Sequence, residues 1–188
     1  MTDRREKRLE RLVRKAAQGD ARAFGELYDE YVDRVYSFVR ARVSSSHDAE
    51  DLTETVFLKA YEAIGRYDDR GLPFSAWLFR IARNVTIDWH RRSGRAPTFV
   101  GEDAAERLPA RDRPEEIVLG NLDAERVRAG IRRLTEEQAD VIVLRFFWGM
   151  SQREIGETIG KTEGSVKALQ HRAVRSLERI LTEETSDE

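Results

Sequence analysis

The chain has no cysteine, only four prolines and only three histidines among its 188 residues. Without cysteine it cannot form structural disulfides, cysteine-ligated zinc sites or thiol nucleophiles. No stretch is long and apolar enough to span a bilayer, and the charged first 20 residues lack the apolar segment of a signal peptide. We therefore expect no membrane insertion, and the composition fits a protein of the reducing cytoplasm.

Aromatic residues are also scarce, at 9% of the chain, whereas 36% of the residues are charged. Long charged side chains cover helix surfaces, and the alternation of apolar and polar residues typical of strands is rare, so an all-α fold is predicted. The length suits one medium domain or two small ones. The net charge of −2 decides nothing about nucleic acid, because binding depends on where the positive charges lie.

Residues 20–95 contain three stripes of apolar residues at three- and four-residue steps, which is the spacing of one buried helix face. The first helix is predicted to begin at Asp20 and to end near Val43. Serines 44–46 supply N-caps for a second helix that ends near Gly65, and Ser75 caps a third. These helices predict a small first domain over residues 20–95, preceded by a charged N-terminal extension over residues 1–19.

The periodicity fails over residues 96–121, where three of the four prolines lie and acidic residues outnumber basic ones. We interpret this segment as a flexible acidic linker. A second helical domain is predicted over residues 122–182, followed by an acidic tail at 183–188. Its helices have N-cap signals at Thr135, Ser151 and Thr162. The helix that follows Thr135 is predicted to continue through Trp148 and to stop at Gly149.

The spacing of residues 152–169 predicts a helix-turn-helix, in which Gly156 permits close approach and Gly160 makes the turn. An αα-corner without a ligand would have the same spacing. The outward face of the last helix is basic, however, and has small residues where a DNA major groove leaves little room. The residues predicted to read duplex DNA are Ser165, Lys167, Ala168, His171, Arg172 and Arg175.

The third helix of the first domain has a second basic cluster, which is interleaved with aromatic residues. Single-stranded nucleic acid is bound where positive side chains contact its phosphate backbone and aromatic rings stack on its unpaired bases. This cluster has both kinds of residue. Phe74 and Trp77 could instead be ordinary core residues. The predicted surface comprises Tyr67, Phe74, Trp77, Arg80, Arg83, Trp89, His90, Arg91, Arg92 and Arg95.

Three segments, taken in order, resemble the small bacterial sigma factors of the extracytoplasmic-function (ECF) group in the sigma-70 superfamily. They are DAEDL at residues 48–52 with Val56 and Phe57, FSAWLFRIARN at 74–84, and SVKAL at 165–169 with Arg172 and Ala173. The resemblance covers residues 23–95 and 125–181. It implies sigma domain 2 and sigma domain 4 joined by a linker, and a transcription factor that has no catalytic chemistry and needs no cofactor.

The resemblance also implies the partners of each domain. The first domain would dock on the beta-prime clamp helices of core RNA polymerase and capture the melted minus-ten promoter element, with Asn84 close to the pocket for an extruded base. The second domain would read the minus-thirty-five duplex while it rests on the beta flap. The linker would run through the active-site and RNA-exit channels of the polymerase. An anti-sigma factor would hold the protein inactive. The implied polymerase contacts are Asp48, Asp51, Leu52, Thr53, Val56 and Phe57.

The chain departs from the family pattern at two places, so the promoter sequence that it recognises cannot be transferred from the family. The family often has a glutamine near the position of Glu54, and residues 162–164 are Thr-Glu-Gly where its recognition helix often begins with proline or serine. The acidic residues around Glu54 could suggest a cation site. We interpret them as first-turn residues that favour the helix dipole, since hard cations want six or more oxygens in fixed geometry.

Two other functions stay open from the residues alone. A helix-turn-helix regulator with an N-terminal sensor domain would bind duplex operators unaided, although a sensor has no need of a basic, aromatic helix. A hydrolase or metalloenzyme would use His47, His90 or His171. These histidines lie far apart in sequence, and no zinc-protease, phosphate-loop or nucleophile motif accompanies them.

Overall fold

A computed structural model describes residues 2–68, 72–94 and 124–186. The regular structure of these residues is entirely helical and forms two domains, which confirms the predicted all-α fold. The predicted linker at 96–121 lies outside the described residues. The first domain comprises α1 (Thr2–Ala17), α2 (Ala21–Arg40), α3 (Ser46–Ala63), a 3-10 turn (Ile64–Arg66) and α4 (Phe74–Ser93). The second comprises α5 (Ala124–Arg132), α6 (Glu136–Ile142), a π-helical segment (Val143–Phe147), α7 (Gln152–Ile159) and α8 (Glu163–Ser186).

The charged N-terminus folds as a helix, where the sequence pattern predicts only an extension. Leu12, Val13 and Ala16 of α1 are buried, and the helix packs along α2. Ion pairs from Arg5 and Arg8 to carboxylates of α2 flank this contact. The first domain therefore includes α1 as a packed fourth helix.

Side-chain caps open α2 and α3, the second of them from the predicted serines 44–46, whereas α4 has no side-chain cap. The Asp20 carboxylate accepts hydrogen bonds from the N–H groups of residues 22 and 23, at 3.0 and 3.1 Å. Ser45 Oγ accepts one from the Asp48 N–H at 3.2 Å. The prediction that Ser75 caps the third helix is wrong, because α4 already begins at Phe74, directly after Pro73. Pro73 occupies the N-cap position with a ψ of 150°, and its ring has no hydrogen-bond acceptor, so no side-chain hydrogen bond caps this start.

Capping boxes open α6 and α7, as predicted. Thr135 Oγ1 accepts from the Gln138 N–H at 3.4 Å, and Ser151 Oγ accepts from the Glu154 N–H at 3.2 Å. The α-helix predicted to run through Trp148 instead ends at Ile142 and continues as the π-helical segment. The other end of the domain is longer than predicted, because α8 reaches Ser186 within the expected acidic tail.

An aromatic contact joins the two domains. The buried indole of Trp148 lies between two rings of the first domain, with centroid distances of 6.3 Å to Tyr31 and 5.7 Å to Phe79. The domains thus bury apolar surface against each other.

None of the described helices combines the length and apolar character needed to cross a lipid bilayer.

An ionic group completes this junction. Asp140 of α6 is 3% exposed and accepts hydrogen bonds from Arg42 and, at 2.8 Å, from Arg83 Nε. Burial lowers the pKa of Arg42, although the Asp140 charge opposes that shift. Burial also acts to lower the pKa of Arg83, but the hydrogen bond and charge of Asp140, together with the charges of Glu136 and Glu137, raise it overall. Two further pairs join the domains, because Arg83 also contacts Glu136 and Arg40 pairs with Glu125 at 2.8 Å.

Candidate nucleic-acid interface

Two glycines set the geometry of the helix-turn-helix formed by α7 and α8. A Cβ atom at Gly156 would lie 2.5 Å from the carbonyl oxygen of Lys161, so only glycine allows this approach. The Lys161 N–H donates to the Gly156 carbonyl oxygen at 2.9 Å. Gly160 ends α7 at a φ of 73°, in the left-handed region that favours glycine. The structure confirms both predicted roles.

The inner face of α8 anchors this helix in the second domain. A cap holds its start, because Thr162 Oγ1 accepts from the Ser165 N–H at 3.3 Å. Five residues of the inner stripe are buried, namely Val166, Leu169, Ala173, Leu177 and Ile180. Since one stripe is fixed in the core, the opposite stripe of α8 must face solvent.

The outer face of α8 is basic over its first three turns. Lys167, His171 and Arg175 form one row at four-residue spacing, with Arg172 beside it. The row is about 12 Å long, and the helix that bears it has a diameter that the DNA major groove admits. No acidic residue occurs over residues 164–177. All six residues predicted to read duplex DNA are exposed, namely Ser165, Lys167, Ala168, His171, Arg172 and Arg175.

The aromatic residues at the start of α4 form one group. Ring centroids lie 5.3 Å apart for Tyr67 and Trp77, and 5.4 Å apart for Phe74 and Trp77. The Tyr67 hydroxyl donates to the Leu72 carbonyl oxygen at 2.7 Å, across the loop before α4. Phe74 is buried, as the core interpretation predicts, whereas Tyr67 and Trp77 are half-buried. Trp89 lies three turns further along and contacts His90 instead.

The polar residues of α4 divide into two sets. Asn84, Arg91 and Arg92 are exposed. Arg80 and Arg83 are engaged by the second domain, since Arg80 Nε donates to the Thr158 carbonyl oxygen at 3.2 Å and Arg83 binds Asp140. Arg95 lies outside the described residues. The domain contact therefore occupies two of the arginines predicted to hold a single strand.

The residues predicted to contact polymerase lie mostly inside the first domain. Asp51 is exposed and Asp48 is half-buried. The other four are buried and hold α3 in the domain, namely Leu52, Thr53, Val56 and Phe57. Their burial fixes α3 against its own core, because the apolar stripe of a helix packs inward, and their contact with polymerase stays a prediction.

The accessible side of α3 has apolar residues that the sequence pattern does not single out for binding. Leu58 is 60% exposed and Tyr61 is 50% exposed. Tyr28 of α2 lies nearby and packs on Phe57, with ring centroids 4.6 Å apart. Leu58 is an apolar residue that does not belong to the buried stripe of α3. Its position in the sequence could have identified this side as an exposed apolar surface. An exposed apolar patch of this kind is typical of a protein contact.

Comparison with known proteins matches both domains. The Sigma-70 region 2 family model matches residues 27–96, and the Sigma-70, region 4 family model matches residues 130–179. Over 180 residues the chain is 41% identical to the ECF RNA polymerase sigma factor BldN of Streptomyces coelicolor, and the alignment covers 94% of this chain and 67% of BldN.

Solved structures share the fold. The structure of CnrH in complex with the cytosolic domain of CnrY aligns with a TM-score of 0.68 at 28% identity, over 91% of this chain and 95% of that one. The sigma factor RpoE in complex with the anti-sigma factor NepR from Bartonella quintana aligns with a TM-score of 0.63 at 24% identity, over 85% of this chain and 96% of that one. The second likeness concerns the fold alone.

Proposed function

The chain belongs to the ECF RNA polymerase sigma factors, and we propose that it gives core RNA polymerase its promoter specificity by binding the minus-thirty-five and minus-ten elements. Like its family, it is a DNA-binding factor of transcription initiation and not an enzyme. The observation that carries the proposal is the exposed basic face of α8 on a capped helix-turn-helix. We place its action in the cytoplasm, where the polymerase works.

The minus-thirty-five duplex is bound by α8. Lys167, His171 and Arg172 supply donors for base edges and phosphates, while Ala168 lets the helix backbone approach the groove. A bidentate arginine contact to guanine discriminates by about 1–3 kcal/mol. The beta flap of the polymerase contacts the second domain on a surface other than the basic face of α8.

The minus-ten element is captured by the first domain. Tyr67 and Trp77 offer ring surface for unpaired bases, Asn84 lines the pocket for an extruded base, and Arg91 and Arg92 hold the backbone. Arg80 and Arg83 join this surface only after the domains separate, because both are bound to the second domain in the structure described. Binding of core polymerase is therefore coupled to opening of the domain junction.

The beta-prime clamp helices dock on the accessible side of α3. Asp48, Asp51 and Glu54 give this side negative charge, and Leu58 and Tyr61 give it exposed apolar area. A charged rim around an apolar centre suits a specific protein contact. This assignment replaces the buried residues of the family motif with their exposed neighbours on the same helix.

An anti-sigma factor is the second protein partner that we propose. Support comes from membership of the family and from the CnrH structure, which was solved with the cytosolic domain of CnrY. Such a partner would block the faces that polymerase needs.

The test of the proposed function compares the protein alone with the protein plus core polymerase. Alone, it should bind promoter DNA weakly and with strong salt dependence, because each domain contributes a small electrostatic contact. Core polymerase should yield specific initiation from a subset of promoters, since fixing both domains raises the effective concentration of the second contact. Tight, specific duplex binding by the protein alone, without association with core polymerase, would instead identify a helix-turn-helix regulator.

A further inference from the structure

Helix α1 has a strong excess of positive charge that the proposed function does not use. Its sequence contains seven lysines and arginines and three acidic residues. The helix is not a free tail, because its apolar face is buried on α2. The charges are therefore held in fixed positions on the surface of the first domain.

The cations of α1 sort into two groups by their place around the helix. Arg5 and Arg8 border the buried face and pair with Glu30 and Glu26 of α2. The remaining cations recur at three- and four-residue steps on the opposite side. This basic face of α1 comprises Arg4, Lys7, Arg11, Arg14 and Lys15, all exposed.

The basic face is about 16 Å long, from the rise of 1.5 Å per helical residue. Within the described part of the chain, no acidic side chain pairs with Arg4, Arg11, Arg14 or Lys15. A duplex presents one negative charge per about 1.7 Å of its axis, so a row of this length faces many phosphates.

The position of α1 connects the basic face to the surface proposed for the minus-ten element. The carbonyl oxygen of Ala17, at the end of α1, lies 3.8 Å from the place of a Cβ atom on Gly65. Gly65 belongs to the 3-10 turn, whose next residue is the exposed Arg66 and which leads directly into Tyr67. Positive charge thus continues from α1 toward the aromatic group of Tyr67 and Trp77.

The chemistry of the basic face selects among polyanionic partners. A helix that lies on an anionic bilayer needs a free apolar face, but the apolar face of α1 is occupied by α2. The basic face offers no aromatic ring to stack on a base, and its long side chains suit phosphates without reading sequence.

We propose that the basic face of α1 binds the phosphate backbone of promoter DNA next to the opened segment, as an additional, sequence-independent site. The proposal rests on the proposed function, because it requires the first domain to engage promoter DNA. The contact strengthens promoter binding by the holoenzyme and makes it more sensitive to salt, without changing which promoters are chosen.

The test replaces Arg4, Arg11 and Arg14 together by glutamine, which has a helix propensity close to that of arginine. Promoter binding by the holoenzyme is measured over a range of salt concentrations. The slope of log affinity against log salt should fall in magnitude by about 2–3, at about 0.9 for each phosphate that the variant no longer neutralises. Replacing the same three residues by lysine should keep the slope, because the charge is kept. The single variant Arg11→Gln should lower the slope by about 0.9, whereas Arg179→Gln, which removes a single exposed cation near the end of α8, should leave it unchanged.

Three outcomes separate the hypotheses. A wild-type holoenzyme that fails to initiate from any promoter would overturn the proposed function and with it this site. A wild-type holoenzyme that initiates, together with a glutamine variant of unchanged slope, would overturn the α1 site alone. A variant that loses affinity for core polymerase without DNA, and keeps the salt slope, would assign the basic face to an acidic protein surface and so overturn the DNA contact.

Discussion

Replacing Asp140 by asparagine should weaken the association of the two domains while leaving each of them folded. Asp140 is the shared acceptor for Arg42 and Arg83 of the first domain. Asparagine keeps the shape of the side chain but removes its charge. Arg42, whose side chain is 11% exposed, would then be a buried cation without a counter-ion as long as the domains stay together.

The size of the effect follows from the cost of that uncompensated charge. Removing one partner of a buried ion pair typically costs about 3–5 kcal/mol. In the separated form Arg42 is hydrated, so the cost falls on the closed form alone. At about 1.4 kcal/mol per tenfold change, the closed population should fall at least about 100-fold relative to the open one.

The absence of cysteine makes the measurement direct, because two labels can be attached at introduced cysteines. Labels at Glu62→Cys and Glu178→Cys, both exposed sites, report the distance between the domains by energy transfer. The transfer is followed in increasing urea, and far-UV circular dichroism reports unfolding separately. Asp140→Asn should lower the urea concentration at which transfer is lost, without lowering the concentration at which helices unfold.

Two further variants serve as a control and as a rescue for the Asp140→Asn prediction. Glu137→Gln is the matched control, because Glu137 lies on the same helix but is exposed and pairs with Lys161 of its own domain. The double variant Arg42→Met with Asp140→Asn should close again, since it leaves no unpaired buried cation at residue 42 and Arg83 keeps Glu136 as its acidic partner. If Asp140→Asn matches Glu137→Gln in energy transfer, the buried pair does not hold the domains together.

Four other changes test the interface and the junction. Arg172→Ala should cost about 1–3 kcal/mol at one promoter position while core binding stays intact, and a loss that is equal on all promoters would reassign it to a phosphate contact. Asn84→Ala should still form the closed promoter complex but show less permanganate reactivity of unpaired thymines, and normal strand opening would count against the pocket. Gly156→Ala should destabilise the second domain by about 1–3 kcal/mol in urea unfolding, because the added methyl meets the Lys161 carbonyl oxygen; an unchanged midpoint would refute that clash. Burial acts to raise the pKa of Glu125, but its arginine partners lower it overall from 4.5, so its bond across the junction should hold above pH 4.5 and weaken below it, as energy transfer would show.

The caps and turns of the second domain could be predicted from sequence because their rules are local. Thr135 and Ser151 each lie three residues before the side chain that completes the capping box. Gly156 and Gly160 are similarly defined by neighbours within a few residues. The same local reasoning could have found α1, since Leu9, Leu12, Val13 and Ala16 have helical spacing, but the dense charges around them obscured the stripe.

The domain junction could not be predicted in this way. Asp140 and Arg42 are 98 residues apart, and no local pattern distinguishes this pair among so many charged residues. Burial adds a different kind of information about the predicted polymerase contacts, which stay a prediction. A family motif records residues such as Val56 for the core they build as well as for the partner they meet, and only burial separates the two.

The contact of Arg80 has a consequence for how this junction can change in evolution. Its guanidinium bonds to main-chain oxygens of residues 157 and 158, at the end of α7, and not to side chains there. Every amino acid supplies the same carbonyl oxygen, so ordinary substitutions at these two positions leave the acceptors in place. The sequence of α7 can drift while the bond persists, and the bond is lost when Arg80 itself is replaced or when the end of the helix is distorted.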